Sequence, residues 1–534
     1  MESLFDKIMA KDELVFYGIP VFFGLVLVLL FLFVDRVGKK QKKLPPGPFP
    51  WPVFGNLFLG GPHPHQVFTQ LAKQYGNIMS LFFGNVRVVI LSDPTIAKEF
   101  FTVRDASFAS RPIHDLMYTQ AKYMNYGKEN VSMTISTYAP QVREMRQLCI
   151  SELFTPQRLE TKRTTRMEEL QRMIQGTAQS GPVEIRPLLS EFSLRLNCRA
   201  TFNKAFLHSE GIPSSGLDPQ AFRRLETENT KLLATHNIAD IVPAIKFLLG
   251  RLDLEGIHAR WKDVTERKVS CAEAILDWYR KHGDGEAQSE TDFVETLLHL
   301  TEDGKYTTTT AQAVIFELLT AGTDTVAASM EWALLEMALH PQCQAKLHAE
   351  IDAQFGMLGP VQEEEAAQLP YLQAVVKEVL RLHATTAMGI PHSNVEDATL
   401  GGYHIPAGTT VMPNLWALHR DPMTWGDDAL AFNPDRFLAS DLSVNGTNYQ
   451  YLPFGAGRRI CPGRAMAMRV LSVTLATFVH AFDMSGLPGV ELNANEGVTG
   501  LNIRPETPLL LQMSLRPAAS LYVTLKTSTS NGHA

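Results

Sequence analysis

The chain has 534 residues, 45% of them hydrophobic and 20% charged, which is too apolar for a disordered polymer and long enough to bury a large core. Its 49 Lys and Arg against 56 Asp and Glu give a net charge of -7, which argues against the basic surface that a nucleic-acid partner demands. The five cysteines, at 149, 198, 271, 343 and 461, are widely spaced and form no CxxC or zinc-spaced Cys/His pair, so neither a disulfide framework nor a structural metal is expected.

Residues 15–34, VFYGIPVFFGLVLVLLFLFV, form an uncharged run of 20 that as a helix spans about 30 Å, the thickness of a bilayer core. The run is too long for a cleaved signal peptide and no small-x-small site follows it, so it predicts a single transmembrane anchor. Residues 1–14 hold four acids and two lysines, whereas 35–43 hold one acid against Arg36, Lys39, Lys40, Lys42 and Lys43. The excess of positive charge after the run predicts a luminal 1–14 and a cytosolic body. LPPGPFPWP, residues 44–52, carries five prolines and completes a semi-rigid hinge over 35–52.

One body, 53–520, follows, with a polar tail at 521–534. Residues 78–92 read as a hairpin turning at Gly84-Asn85. Apolar residues at three- and four-residue steps then predict helices over 151–180, 190–205, 219–236, 262–281 and 291–302, with a surface loop at 281–290. Residues 309–340 predict a long helix of about 48 Å. Strand signals return at 397–413 and in the last forty residues. The fold class expected is mainly α with small sheets, behind one N-terminal membrane helix.

Three constellations carry chemistry. The first is FGAGRRICPGRAMAMRVL, 454–471, in which Cys461 precedes a helix N-terminus. The dipole and the nearby arginines favour a thiolate able to ligate iron. Phe454 opens the pattern, Gly455 and Gly457 permit a tight turn, and Gly463 lets a flat cofactor lie against the helix. Arg459 is placed to pair with a carboxylate of such a cofactor. The second is AGTDT, 321–325. Gly322 leaves room over a cofactor, and the acid-alcohol pair Asp324-Thr325 can relay protons to bound oxygen. Glu317, Asp324 and Glu331 recur every seven residues on one face, which by itself reads as solvated or salt-bridged. The third is KEVLRLH, where Glu378 and Arg381 lie three residues apart on a helix, with FNPDRF supplying Arg436 further along.

The ten-residue pattern F-G-x-G-R-R-x-C-x-G resembles the cytochrome P450 superfamily of haem-thiolate monooxygenases, in its membrane-bound, plant-like form. The resemblance covers about 44–516 with its motifs in the family's order. It implies haem b held by Cys461, with Arg459, Arg146 and His392 facing the propionates. Asp324 and Thr325 would serve oxygen activation, and Glu378, Arg381 and Arg436 would lock the core behind the thiolate loop. Two departures stand out: Val142 replaces the usual tryptophan of the haem-edge helix, and His383-Ala384 replaces His-Pro. No nucleotide-binding segment is evident, so the resemblance implies electrons from NADPH through the membrane-bound NADPH-cytochrome P450 reductase of the endoplasmic reticulum.

The resemblance places the pocket for a small lipophilic substrate at Arg111–Asn125, Phe316, Ala321, Thr385–Ile390 and Val498–Leu501. EWAL at 331–334 and the stretch 491–511 are similar to plant flavonoid hydroxylases of secondary metabolism, which points to hydroxylation of a flavonoid or phenylpropanoid. The alternatives are a fatty acid or terpenoid monooxygenase, and more remotely a reductase-independent haem-thiolate isomerase or dehydratase, or a non-enzymatic haem-binding protein. A cytosolic body also predicts that the sequons at Asn130 and Asn445 stay unglycosylated.

Overall fold

The computed structural model describes residues 43–113, 117–128, 131–178, 181–202, 219–235, 237–242, 253, 255–282 and 293–522. The expected anchor 15–34, the luminal segment 1–14, the sequon at Asn130, the loop 283–290 and most of the polar tail lie outside them.

Helices dominate, and several open on proline, whose fixed φ suits a first helical position and whose missing N–H costs nothing there. The main helices are α1 (Pro140–Cys149), α2 (Ile185–Phe202), α3 (Pro219–Ala234), α4 (Ile257–His282), α5 (Thr308–Leu339), α6 (Pro370–Leu382) and α7 (Arg464–Ala481), of which α1, α3 and α6 begin with proline. The helix expected over 151–180 is broken instead. Thr155 precedes Pro156 and is held extended, φ -68° and ψ 153°, as the residue before a proline must be. A wide turn Ile150–Phe154 therefore closes α1, and separate helices Pro156–Thr161 and Arg163–Thr177 follow.

The hairpin forms where expected: β1 (Ile78–Phe83) and β2 (Val86–Leu91) pair antiparallel around Gly84-Asn85. β2 continues in parallel to β4 (Thr410–Pro413), which pairs with the short β3 (His392–Ser393). Smaller sheets join Pro182–Glu184, Leu510–Leu515 and Phe482–Ser485, and pair Glu496–Thr499 with Asn502–Pro505.

α5 organises the whole. The Thr307 hydroxyl caps it by accepting from the Thr310 N–H at 3.2 Å. It is the one helix among the described residues long and apolar enough to cross a membrane, but it is mostly buried and packs against α2, α7 and α6. It is therefore a core helix. Its C-terminal half enters a cluster with Trp332, Leu335, Val375, Leu471 and Phe478, and its N-terminal half a second cluster with Phe202, Trp261, Leu276 and Phe316. The middle turn between them is different: Ala321 is exposed and Asp324, Thr325 and Val326 are half-buried, although the flanking turns on both sides are buried.

Candidate functional site

Phe454 of the Cys461 loop, Met466 of α7 and Val326 of the opened turn in α5 all pack against the same buried cluster. Gly455 and Gly457 have φ of +69° and +64°, a conformation that side chains rarely adopt. At Gly457 an added Cβ would also meet the Asp105 carboxylate at 2.5 Å. That carboxylate accepts the Arg458 N–H at 3.1 Å, tying the turn down. The Cys461 N–H donates to the Phe454 carbonyl at 3.0 Å. Burial pushes the thiol up, while N–H donors from Gly463 and Arg464 and the charge of Arg146 oppose that rise. A group aimed at by two amides and a guanidinium is prepared to exist as thiolate once a metal takes the proton's place.

Gly463 meets nothing closer than the Phe154 ring at 3.8 Å, so no protein atom demands glycine there. Gly322 differs from its expected role. An added Cβ would meet the Asn197 amide at 2.6 Å, and that amide of α2 donates to the Leu318 and Leu319 carbonyls at 2.7 and 3.0 Å. The missing side chain makes room for Asn197, and the opened surface is at Ala321 instead.

Asp324 and Thr325 are neighbours in sequence but serve different partners. The Thr325 hydroxyl donates to the Ala321 carbonyl at 2.8 Å, on the opened side. The Asp324 carboxylate accepts from the Thr230 hydroxyl of α3 at 3.4 Å and lies 3.8 Å from Arg504. The stripe is not solvated, but its salt-bridged alternative holds for Glu331 and Asp324, which face Arg186 and Arg504. Glu317 is buried and accepts from Ser132 and from the Met133 N–H at 2.8 Å, while Glu331 is buried against Arg186 at 3.0 Å.

Three arginines gather on the loop side. Arg459 is buried and donates to the carbonyls of Ala109, Met133 and Ser136 at 2.8, 2.9 and 2.7 Å. Arg146 donates to the Ile460 carbonyl at 2.6 Å, immediately before Cys461. Arg111, expected only as a pocket residue, is 5% exposed and donates to Thr134, Ile390 and Pro391. Burial, together with Arg459 and Arg146, holds the Arg111 guanidinium well below its usual range. His392 of β3 places Nδ1 2.8 Å from the Phe108 carbonyl. Burial and then Arg111 hold the ring well below its usual range, so it is neutral. Backbone carbonyls solvate these cations but do not neutralise them, and that positive cluster fits the two carboxylates of a haem.

Behind the loop, Glu378 and Arg381 of α6 are both fully buried and pair bidentately at 2.7 and 2.8 Å. Arg436 joins Glu378 at 3.0 Å. Arg381 also donates to the His419 carbonyl at 2.7 Å, and His419 Nε2 accepts the Leu452 N–H at 2.8 Å. Burial, Arg420 and Arg381 push His419 down to about 3, so the ring is neutral and able to accept. The network thus reaches the thiolate loop through one imidazole. His383 stacks on Trp332 with ring centroids 3.9 Å apart and faces Glu336 at 2.5 Å.

The four candidate pocket stretches converge. Ile113, Met117, Ala121 and Met124 meet Phe316, Ile390 and Leu501 in one apolar cluster. Sequence reasoning placed Arg111 in the pocket and not at the cationic edge, and passed over Glu226 and Lys268, because a charged residue inside a helical pattern reads locally as surface.

A cysteine in a glycine turn before a helix, an opened turn in a long buried helix, and a cationic edge define a haem-thiolate protein. The model of the family described as cytochrome P450 matches residues 45–512. Among similar proteins, a flavonoid 3'-monooxygenase of Arabidopsis thaliana is 34% identical over 93% of this chain and 96% of its own. Another flavonoid 3'-monooxygenase, of Petunia hybrida, is 34% identical over 96% of this chain and 99% of its own. A tabersonine 6,7-epoxidase of Catharanthus roseus is 33% identical over 93% and 98%. A solved zebra fish cytochrome P450 structure, with abiraterone, superposes with a TM-score of 0.67 at 25% identity, over 85% of this chain and all of that one. The chain belongs to the cytochrome P450 family and is a P450 monooxygenase. Such enzymes use haem with a thiolate ligand and take electrons from NADPH through a reductase.

Proposed function

We propose that this monooxygenase hydroxylates a lipophilic aromatic compound of the flavonoid or phenylpropanoid class. The observation that carries the reading is the apolar cluster joining Met117, Ala121, Phe316, Ile390 and Leu501, with Phe316 five residues before the exposed Ala321 on the same helix, a wall suited to ring systems. Identity alone does not choose the substrate, because the tabersonine epoxidase lies at nearly the same identity as the flavonoid enzymes.

Haem, when bound, supplies the oxygen-activating chemistry. In this reading Cys461 would ligate its iron, and Arg459, Arg146, Arg111 and His392 would hold its carboxylates; a carboxylate beside His392 would raise the ring toward its protonated, donating form. Thr325 holds a proton at its hydroxyl oxygen on the opened side. Asp324 must leave Arg504 and Thr230 to deliver another. Glu378, Arg381 and Arg436 position the loop.

Residues 15–34 anchor the chain in the endoplasmic reticulum membrane with the body in the cytosol, where the NADPH-cytochrome P450 reductase reaches it. Phe49 and Trp51 of the hinge and Phe58 just beyond it, exposed at 70, 70 and 74%, suit a surface lying against lipid. Asn445 is exposed, so the absence of glycan there is a real test of topology.

The decisive experiment titrates the full-length microsomal protein with flavonoids, phenylpropanoids, fatty acids and terpenoids while following the haem Soret band, then adds reductase and NADPH. A shift and a singly oxygenated product with flavonoids or phenylpropanoids are expected. A response confined to fatty acids or terpenoids overturns the substrate class.

A further inference from the structure

Above Phe316, between α3, α4 and the short helix Tyr118–Met124, buried polar atoms converge with few partners. Lys268 of α4 is 1% exposed. Among the described residues its ammonium has the Met124 thioether at 3.3 Å and the Asn229 side-chain oxygen at 3.5 Å, a weak acceptor and a long contact. It stands 4.6 Å over the Phe316 ring and 5.6 Å over that of Tyr126. The Asn229 amide nitrogen, the Tyr126 hydroxyl and the second oxygen of Glu226 are buried without partners among the described residues. The first oxygen of Glu226 accepts from the Thr320 hydroxyl at 2.6 Å, one residue before the exposed Ala321. Buried polar groups left unpaired are costly and rare; several at one point indicate a missing partner.

We propose that Lys268, Asn229 and Tyr126 form a recognition point for a neutral oxygen of the substrate, a carbonyl or phenolic oxygen, at the end remote from the carbon that is oxidised. The inference rests on the aromatic-substrate reading above. Asn229 and the Tyr126 ring both neighbour the Lys268 ammonium, and each brings an unsatisfied donor to the region, so the ligand atom is an acceptor. The carboxyl groups of Glu226 and Glu317 flank the ammonium electrostatically, so a carboxylate is disfavoured. Burial brings Lys268 down to about 8 and Glu226 up to about 8, so neither charge is firmly held and a neutral partner suits both. From Phe316 to Thr325 is nine residues of helix, about 14 Å. A single ring is too short for that reach, whereas two or three linked rings can place one end at Lys268 and the other at the opened turn.

The test uses the full-length, haem-loaded protein and three probes: 7-hydroxyflavone, flavone, and flavan, which lacks both carbonyl and hydroxyl. Affinity is read twice, from the Soret shift and from the ligand-induced rise in Tm. Wild type should bind the two oxygenated probes at least tenfold more tightly than flavan. Lys268→Met should bring all three within about threefold while leaving the flavan Kd unchanged, and Asn229→Leu should remove a smaller share. Equal weakening of all three probes, or undiminished discrimination in Lys268→Met, overturns the proposal. If Lys268→Met loses the thiolate spectrum of the reduced carbon monoxide complex, Asn229→Leu decides by the same comparison. If no flavonoid binds but a terpenoid does, the aromatic reading fails, and a terpene alcohol against its hydrocarbon takes the place of the probes. Discrimination lost in Lys268→Met then sustains the recognition point, and its absence sinks it.

Discussion

Glu378→Gln removes one charge from the network behind the thiolate loop while keeping the side chain's shape. Oε1 accepts from Arg381 at 2.8 Å, from the Asn433 N–H at 2.8 Å and from Arg436 at 3.0 Å. Oε2 accepts from Arg381 Nε at 2.7 Å. A glutamine can keep its oxygen at the crowded position only by turning its NH2 toward Arg381 Nε, donor against donor. Arg381 is then a fully buried cation with no anion, a situation that costs about 3–5 kcal/mol when one member of a buried pair is removed. Against a total stability of about 5–15 kcal/mol, that is a large share. Because Arg381 holds the His419 carbonyl and His419 holds Leu452, the loss should reach the cysteine loop. Urea melts should shift by that amount, and the reduced carbon monoxide complex should convert partly from a thiolate to a thiol spectrum. Melts within about 1 kcal/mol of wild type, with an intact thiolate spectrum, would refute both the energetics and the path.

Cys461→Ser should abolish the thiolate-type spectrum of the reduced carbon monoxide complex; its retention would show that another group ligates the iron. Thr325→Ala should leave haem content unchanged and divert electrons to peroxide, so product formed per NADPH consumed should fall severalfold; full coupling would remove the hydroxyl from the proton path. Glu496 gives a pH effect of definite sign. Burial raises its carboxyl, but His65, Arg420, Trp416 and Gln66 together hold it down to about 2. A depressed carboxyl stabilises above its unfolded value and loses that contribution as pH falls from about 4.5 to about 2, some 3 kcal/mol in all. Glu496→Gln should therefore be less stable than wild type at pH 6 by about that amount, with the gap closing toward pH 2. A gap independent of pH would refute the charge argument.

The hairpin and the central helix were legible because their signals are local. Gly84-Asn85 fits a tight turn, and the helix expected over 309–340 is observed over 308–339, one residue from expectation at each end. Glu378 and Arg381 were legible only through a motif, since an i,i+3 pair on a helix otherwise reads as surface. What the sequence concealed depends on partners far along the chain. Glu317, Asp324 and Glu331 share a seven-residue spacing, yet their partners are Ser132, Arg504 and Arg186. The space at Gly322 belongs to Asn197, 125 positions earlier. Pro156 did announce a helix break inside 151–180, and the apolar periodicity running through it outweighed that signal.

Val142 bears on how the cationic edge works. The usual indole would donate to a haem carboxylate; here valine is fully buried in the apolar cluster with Met145 and Leu194 and donates nothing. In the reading proposed above, Arg111 would compensate for it. Arg111 and Arg459 each make three hydrogen bonds to carbonyls, which fixes both guanidiniums without cancelling their charge. An indole N–H contributes one neutral hydrogen bond, whereas a buried guanidinium contributes a full charge at low dielectric. The loss of one neutral donor is therefore a smaller change to the edge than its sequence suggests, provided the arginines stay fixed. Their anchors fall in 109–136 and 390–391, the same segments that supply Ile113, Met117 and Ile390 to the apolar wall. Cofactor edge and substrate wall are thus two faces of the same loops, and a substitution that loosens one should disturb the other.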